Sequence, residues 1–227
     1  MFDKLKKGLM AQQKINQKLL EFFSHYTLVR YDKNERILRE NENPSGVYFI
    51  RDGIVRAYLI SEEGNELTIL MQPAGSIFSM RWAINNLANI YNYQAMNPVE
   101  LWRAPREAFI QFLKDNPDVL FSITEQLVDE SSALVYRMQH TIFGNAYAKV
   151  AAVVLTAAKR FGENEKNTDN ILIQVPLTHQ QIADSAGITR ETASLEMKKL
   201  KDNGLIGYNG RSLIITDLEQ LSKASFL

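Results

Sequence analysis

Residues 178–204 read THQQIADSAGITRETASLEMKKLKDNG, a stretch that predicts two short helices joined by a glycine turn. Thr178 is a good N-cap, and Gln181, three residues later, can complete a capping box. Gly187 can take the left-handed conformation that ends the first helix. Thr189 then caps a second helix, which runs to the end of the stretch. The stretch therefore predicts a helix-turn-helix.

The second helix has two faces of different chemistry. Ala193, Met197 and Leu200 are spaced four and three residues apart, so they predict a buried face. The other face is polar and mostly basic, and we expect it to enter the major groove of duplex DNA, where Arg pairs with guanine and Glu accepts from cytosine. The expected base-contacting residues are Arg190, Glu191, Ser194, Leu195 and Lys198. The expected phosphate-contacting residues are Thr178, His179, Gln180, Thr189, Lys201 and Arg211.

A hairpin is predicted directly after the second helix. Asn209-Gly210 lies between the apolar runs 205–208 and 211–215, and Asn-Gly is the strongest short hairpin signal. We expect the turn at these two residues and a phosphate contact from Arg211 beside it. The alternative is an ordinary helical domain whose basic face is only solvated. The occurrence of capping box, glycine turn, basic first turn and hairpin in this order favours a winged DNA-binding domain.

Two segments of the chain resemble one family, the cyclic-AMP receptor (CRP/FNR) regulators. The matching residues are 177–183, Gly187, 189–192 and 200–206 for its winged helix-turn-helix, and 47–50, Gly53, Val55-Arg56, Gly64, Glu66 and Gly75 for its cyclic-nucleotide-binding jelly roll. The resemblance implies a homodimeric DNA-binding transcription regulator in which Arg190 and Glu191 contact bases. Leu195 stands where the family commonly has an Arg, so the resemblance does not imply the operator sequence.

The N-terminal half has the pattern of an antiparallel β structure, because short apolar runs alternate with Gly-containing turns between Tyr26 and Phe78. We expect an α+β fold with three parts. Residues 1–115 are expected to form an antiparallel β jelly roll of the cyclic-nucleotide-binding type, with a leading amphipathic helix over 1–23. Residues 116–143 are expected to form a long dimerisation helix, and residues 144–227 a winged helix-turn-helix domain. Within the last part, residues 162–170 are expected to form a polar loop.

The long helix is predicted to start at Pro117, since no Gly or further Pro follows until about Thr141. Positions along this helix keep a 3.5-residue spacing whose members are only partly apolar. The expected dimer residues are Leu120, Leu127, Leu134 and Met138. The resemblance also places the dimer interface on the corresponding helix. A single helix buried within one domain is the alternative.

The cyclic-nucleotide segment of the family is altered in this chain. The family has a Gly-Glu pair after the turn at Gly75 and an Arg further on, whereas Ser79-Met80 stands here and no Arg lies near Tyr91. A buried phosphate without a cation carries a large desolvation cost, so we expect an effector other than cyclic AMP. The candidate effector residues are Met80, Arg81, Trp82, Tyr91 and Tyr93. They suggest an apolar or aromatic ligand, and core packing is the alternative.

Composition excludes several classes of protein. The chain has no Cys, which excludes disulfides and Cys-ligated iron–sulfur clusters. His25, His140 and His179 lie outside the predicted strands, so we expect no metal centre of the cupin type. Phosphate-binding loops and nucleophile elbows are also missing from the sequence. We therefore expect neither an enzyme nor a cofactor. The alternative function is a small-molecule-binding or catalytic cupin-like barrel whose winged helix serves protein contact.

The net charge is zero, but positive charge is modestly concentrated in the C-terminal region. Between Thr189 and Arg211 five basic residues stand against three acidic ones, which favours salt-sensitive DNA binding. The sequence contains neither a run of about 18 apolar residues nor a leader, so we expect a cytoplasmic protein with no membrane contact. The expected partners are double-stranded DNA, a second copy of the chain, RNA polymerase and an unidentified small-molecule effector.

Overall fold

The computed structural model describes residues 14–165, 168, 170–175, 177–210 and 212–225. The chain divides into two compact units, residues 1–59 with 69–130 and residues 60–68 with 131–227. Among the helices described, none combines the length and apolar character needed to cross a membrane. The mixture of helices with antiparallel sheets confirms the predicted α+β class.

The first unit is built on two β-sheets. Its strands are β1 (Thr27–Tyr31), β2 (Arg36–Leu38), β3 (Val47–Asp52), β4 (Ile54–Ile60), β5 (Glu66–Pro73), β6 (Ile77–Phe78), β7 (Asn92–Ala95) and β8 (Val99–Ala104). One sheet has the order β1-β8-β3-β6 and the other the order β2-β7-β4-β5. Neighbouring strands run antiparallel, as in β1 with β8 and β4 with β7. This is the predicted jelly-roll type of architecture.

Four helices accompany these sheets among the described residues. They are α1 (14–24), α2 (Met80–Asn85), α3 (Arg106–Asp115) and α4 (Pro117–Phe143). The long helix α4 confirms the prediction made from Pro117. The leading helix was expected over 1–23, and its first part lies outside the described residues. Helix α2 was not predicted, because Ser79 at its start has a left-handed conformation and makes no capping bond with its side chain.

Strand alternation separates two hydrophobic clusters in this unit. Tyr48 and Ile50 face a cluster between the two sheets, which we call the inner cluster. Val47 and Phe49 face the opposite side, where α1, α2, α3 and the start of α4 cover the sheet. This second set is called the outer cluster. Because successive strand residues point to opposite faces, β3 is buried on both sides.

The second unit packs helices against a small sheet. Its elements are α5 (Ala146–Phe161), β9 (Gly162–Asn164), β10 (Ile171–Ile173), α6 (His179–Ala186), α7 (Arg190–Asp202), β11 (Ile206–Asn209), β12 (Ser212–Ile215) and α8 (Leu218–Ala224). The strand order is β11-β12-β10-β9, with antiparallel pairs. Helix α5 packs against α6, α7 and α8 through its small and branched residues.

Two local predictions in this unit need correction. Residues 162–164 of the expected polar loop form strand β9, because Gly162 fits closely against Ala158 and Ile171, where a Cβ would overlap the Ala158 carbonyl oxygen. The hairpin turn lies one residue later than predicted. Asn209 pairs with Ser212, so it belongs to the strand, and Gly210 with its positive φ of 61° begins the connection.

Candidate nucleic-acid interface

Helix α6 and the turn after it have the local geometry that their sequence predicts. The Thr178 hydroxyl accepts from the Gln181 backbone N–H at 3.2 Å, and the Gln181 side chain accepts from the Thr178 N–H at 2.8 Å, which completes the capping box. Gly187 then adopts a φ of 64° and ends the helix. The Ile188 N–H donates to the Ala183 carbonyl, so the turn closes tightly onto α6. The next helix therefore starts in a defined direction.

Helix α7 presents its first residues to solvent. Thr189 caps the helix by accepting from the Thr192 backbone N–H at 3.3 Å. Arg190 and Glu191 follow at the exposed first turn. The opposite side of the helix is buried, as predicted from Ala193, Met197 and Leu200. A buried face of this kind fixes which side chains point outward.

Helix α7, the first residue of α6 and the first wing strand line one surface groove, here called the α7 groove. The lining residues are His179, Arg190, Glu191, Ser194, Leu195, Met197, Lys198, Lys201 and Tyr208. All five residues expected to contact bases are among them. Cationic, anionic, hydroxyl and apolar groups therefore stand side by side, as a surface that distinguishes base edges requires.

The residues expected to contact phosphates have different positions and partners in the structure. His179 and Lys201 line the α7 groove. Thr178 and Thr189 are exposed at the helix starts, but their hydroxyl groups take part in the caps. The Gln180 side chain donates to Asp184 at 2.7 Å. The sixth residue, Arg211, lies outside the described residues.

Tyr208 is a residue of the groove that sequence reasoning missed. Its side chain is 45% exposed on β11, and the Lys201 ammonium lies 5.8 Å from the centre of its ring. Partial burial raises the pKa of Tyr208, so the hydroxyl keeps its proton at neutral pH. The helical period of α7 gives no indication of this neighbour, because only the hairpin brings it beside Lys201.

Two hydrogen bonds hold the end of α7 in place. The Asn203 side chain donates to the Tyr147 hydroxyl of α5 at 2.9 Å. The Thr216 hydroxyl donates to the Gly204 carbonyl at 2.7 Å, which joins the end of the wing to the end of α7. Gly204 itself has a positive φ of 72°. The groove therefore lies on a rigid support, which is what precise contacts with a ligand need.

Glu196 is an unusual residue on the buried side of α7. It is only 6% exposed, and its Oε1 accepts from the Lys199 ammonium at 2.8 Å. Its other oxygen, Oε2, is buried and has no hydrogen-bond partner among the described residues. A buried polar atom without a partner keeps its desolvation cost. A substitution that removes this buried oxygen is therefore expected to stabilise the folded protein.

Replacing Glu196 by Met is expected to raise the free energy of unfolding by about 1–2 kcal/mol, since an apolar side chain of similar size removes the unsatisfied oxygen. Urea denaturation followed by circular dichroism measures the change. Glu219→Met is the matched control, because Glu219 is exposed in its pair with Lys223 and should change stability little. A Glu196→Met protein less stable than the wild type would show that the pair with Lys199 outweighs the orphaned oxygen.

The five candidate effector residues of the first unit lie in different places. Met80 and Trp82 pack against the outer cluster, whereas Tyr91 and Tyr93 pack in the inner cluster. Arg81 is exposed. The structure therefore does not bring the five side chains together. The chain turns into α2 after Ser79, and this turn takes Met80 and Trp82 to the helix-covered face of the sheet.

Aromatic rings occupy the space between the sheets. The ring centres of Tyr48 and Phe78 are 4.9 Å apart, and those of Phe78 and Tyr93 are 4.7 Å apart. Tyr91 meets Tyr93 edge-on at 6.2 Å. Burial raises the pKa of Tyr93, although a hydrogen bond with the Ser79 backbone acts in the opposite direction. The inner cluster is therefore built from apolar and aromatic side chains.

Arg56, which belongs to the segment that resembles the jelly roll, is buried in the structure, and the sequence did not predict this burial. Arg56 on β4 is almost fully buried, its Nε donates to the Gln94 side chain at 2.8 Å, and its guanidinium lies 4.2 Å from the centre of the Tyr58 ring. Val55 and Ala57, its neighbours along the strand, belong to the inner cluster. Strand alternation therefore places Arg56 on the opposite face of the sheet from that cluster.

Helix α4 exposes a row of apolar side chains. The predicted dimer residues Leu120, Leu127, Leu134 and Met138 are all at least one-third exposed. A second apolar row with seven-residue spacing, which the prediction missed, lies beside the first. Its members are Phe121, Val128 and Val135, each about 60% exposed. The seven-residue repeat in the sequence would have been sufficient to find it. The face of α4 is therefore more apolar than predicted.

Known domain families match both units of the chain, in order. Residues 28–116 match the family described as a cyclic nucleotide-binding domain, and residues 148–224 match the family described as a Crp-like helix-turn-helix domain. Together the two matches span most of the chain. The second one contains most of α5, together with α6, α7 and the wing, so it includes the α7 groove.

The chain is also similar to complete regulators. The global nitrogen regulator of Nostoc sp. is 25% identical over 198 residues, which cover 85% of this chain and 86% of that protein. The cAMP-activated global transcriptional regulator CRP of Pasteurella multocida is 24% identical over 86% of this chain and 92% of its own. A solved structure of a CooA mutant from Carboxydothermus hydrogenoformans has a TM-score of 0.75 at 24% identity and covers 89% of each chain, which shows the same fold. The chain has these two domains in this order, and regulators match it over most of their length. It therefore belongs to the CRP/FNR family of DNA-binding transcription regulators.

Proposed function

We propose that this protein binds an inverted-repeat operator as a homodimer, with one α7 helix in the major groove of each half-site. The observation that carries the proposal is the α7 groove, where Arg190 and Glu191 stand exposed at the first turn of a helix whose other face is buried. Two-fold symmetry then requires half-sites separated by about one helical turn of DNA, roughly 34 Å. The protein acts where bacterial DNA lies, in the cytoplasm.

The dimer is proposed to form along α4. Apolar side chains of this size are rarely exposed in a contiguous row on a monomer, and burial against a second copy stabilises them. The row runs from Leu120 to Met138, a length that a parallel helix pair would cover. A pair of α4 helices would also set the distance between the two recognition helices.

The first unit is proposed to receive a signal other than cyclic AMP. Ser79-Met80 stands in place of the Gly-Glu pair of the family, Arg81 is exposed, and Arg56 lies on the opposite face of its sheet from the inner cluster, so neither of these two arginines is placed to neutralise a phosphate buried between the sheets. Of the candidate effector residues, Tyr91 and Tyr93 face that interior and suit an apolar or aromatic ligand. The signal would act by favouring the DNA-competent arrangement of the dimer. The output is proposed to reach RNA polymerase bound beside the operator.

The DNA-binding proposal is tested by selection from random duplexes. The purified full-length protein should enrich a two-fold symmetric sequence, and fluorescence anisotropy should show much tighter binding to it than to a scrambled duplex. Sedimentation velocity of the complex should report two protein chains per operator. Equal affinity for the selected and scrambled duplexes would reject the proposal, and it would favour the alternative in which the winged helix contacts protein.

Titration with cyclic AMP is expected to give no saturable heat at micromolar concentrations, since neither Arg81 nor Arg56 lies where it could neutralise a phosphate between the sheets. Isothermal titration calorimetry measures this, with the cAMP-activated CRP of Pasteurella multocida as the positive control. Micromolar binding that disappears in Arg81→Ala would contradict the expectation, because Arg81 would then neutralise the phosphate.

A further inference from the structure

We propose that Leu195 contacts the C5 methyl group of a pyrimidine in the major groove, so that each half-site contains a methyl-bearing pyrimidine at one defined position. This inference rests on the proposed binding of α7 to DNA. It adds the chemical group that one residue recognises.

The surroundings of Leu195 indicate an intermolecular contact. The side chain is 54% exposed, although leucine is usually buried, and it lines the α7 groove between polar residues. Glu191 lies one turn before it and Lys198 about one turn after it, so all three point into the groove. Ala193 and Met197 already fill the buried face of α7. Leu195 therefore contributes an apolar surface among the polar residues that are proposed to meet DNA.

The chemistry of the side chain limits what it can recognise. Leucine has no hydrogen-bond donor or acceptor, so it cannot distinguish guanine, adenine or unmodified cytosine by their polar edges. The apolar group that bases display in the major groove is the C5 methyl of thymine. A methylated cytosine carries the same group at the same carbon. The shared target is thus a pyrimidine C5 methyl, and the two sources can be separated by experiment.

The position of this methyl follows from helix geometry. Leu195 lies four residues after Glu191, which is about 6 Å along the helix axis. Base pairs are stacked about 3.4 Å apart. With α7 lying along the major groove as proposed, Leu195 is expected to meet a different base pair from the one that Glu191 contacts, within the same half-site. The two contacts should be separable when bases are replaced one at a time.

The test uses the operator selected by the full-length wild-type protein. Each thymine of the half-sites is replaced in turn by deoxyuridine, which removes only the methyl group. At one position, replacement in a single half-site should weaken wild-type binding about fourfold, as expected for the loss of one buried methyl group. Replacement in both half-sites should weaken it about fifteenfold. Leu195→Ala should weaken binding to the thymine operator and should no longer distinguish thymine from deoxyuridine there. Placing 5-methylcytosine at that position instead of cytosine should strengthen wild-type binding only.

Two further variants make the outcome decisive. Leu218→Ala makes the same truncation at another exposed leucine of the unit, outside the α7 groove, and should keep the wild-type response to deoxyuridine. Leu195→Arg should shift the selected base at this position toward guanine. The inference is overturned if the wild type responds to no deoxyuridine replacement, or if Leu195→Ala keeps the wild-type discrimination. In either case binding to the selected operator would still support the proposed function, whereas a wild type without any operator preference would remove both.

Discussion

Replacing Leu127 and Leu134 together by Lys is expected to convert the protein to a monomer. Both side chains lie on the exposed apolar row of α4, so the substitutions leave the core of each chain intact. In a helix pair the new ammonium groups of the two copies would face each other in an apolar seam, where burial of unpaired charge carries a large cost. Sedimentation velocity should show the mass of one chain where the wild type shows two.

Operator affinity should fall together with the dimer. Linking two binding sites commonly raises affinity by about 10²–10⁴, so the double variant is expected to bind the full operator at least about 100-fold more weakly than the wild type does. Its affinity for a duplex with a single half-site should remain close to that of the wild type. This second measurement separates loss of the dimer from damage to the α7 groove.

The matched control places the same two charges elsewhere. Ile84 and Leu87 are exposed apolar residues outside α4, and Ile84→Lys with Leu87→Lys adds the same positive charge. This control should remain dimeric and keep its operator affinity. A Leu127→Lys, Leu134→Lys protein that stays dimeric would show that another surface joins the two copies.

The local signals of the helix-turn-helix were sufficient to predict it from the sequence. Thr178 and Gln181 form the predicted capping box, and Gly187 takes the predicted left-handed conformation. These motifs depend on residues within one turn of each other, so local chemistry decides them. The antiparallel β unit was also predictable, because its apolar runs and glycine turns alternate regularly. The helix-turn-helix prediction also has the polar face of α7 where the structure has it.

Other features depend on contacts that distant residues make. Tyr208 lies beside Lys201 only because the wing folds back onto α7. The candidate effector residues looked like one group in the sequence, yet the turn into α2 separates Met80 and Trp82 from Tyr91. A pattern along the chain cannot show on which face of a sheet a later turn places its residues. The second apolar row of α4 is different, since its repeat was present in the sequence.

Arg190→Ala is expected to weaken binding to the selected operator by about 1–3 kcal/mol and to relax the base preference at one position in each half-site. Arg190 is the first residue of α7 and lines the groove, and a guanidinium can donate two parallel hydrogen bonds to guanine. Alanine leaves the two hydrogen-bond acceptors on the guanine edge, O6 and N7, without partners. Anisotropy titrations against the operator and its single-base variants measure both effects. The wild type should discriminate strongly at that position, and the variant should not.

The Arg211→Ala variant is expected to behave differently from Arg190→Ala. Arg211, at the predicted wing, is expected to meet a phosphate, so Arg211→Ala should weaken binding to every duplex by a similar factor and reduce the salt dependence by about one counterion. Base preference should then remain as in the wild type. The two variants thus separate recognition of a base from attraction to the backbone. If Arg190→Ala weakened all duplexes equally and kept every base preference, α7 would be bound to the phosphate backbone, and the proposed placement of its first turn in the major groove would be wrong.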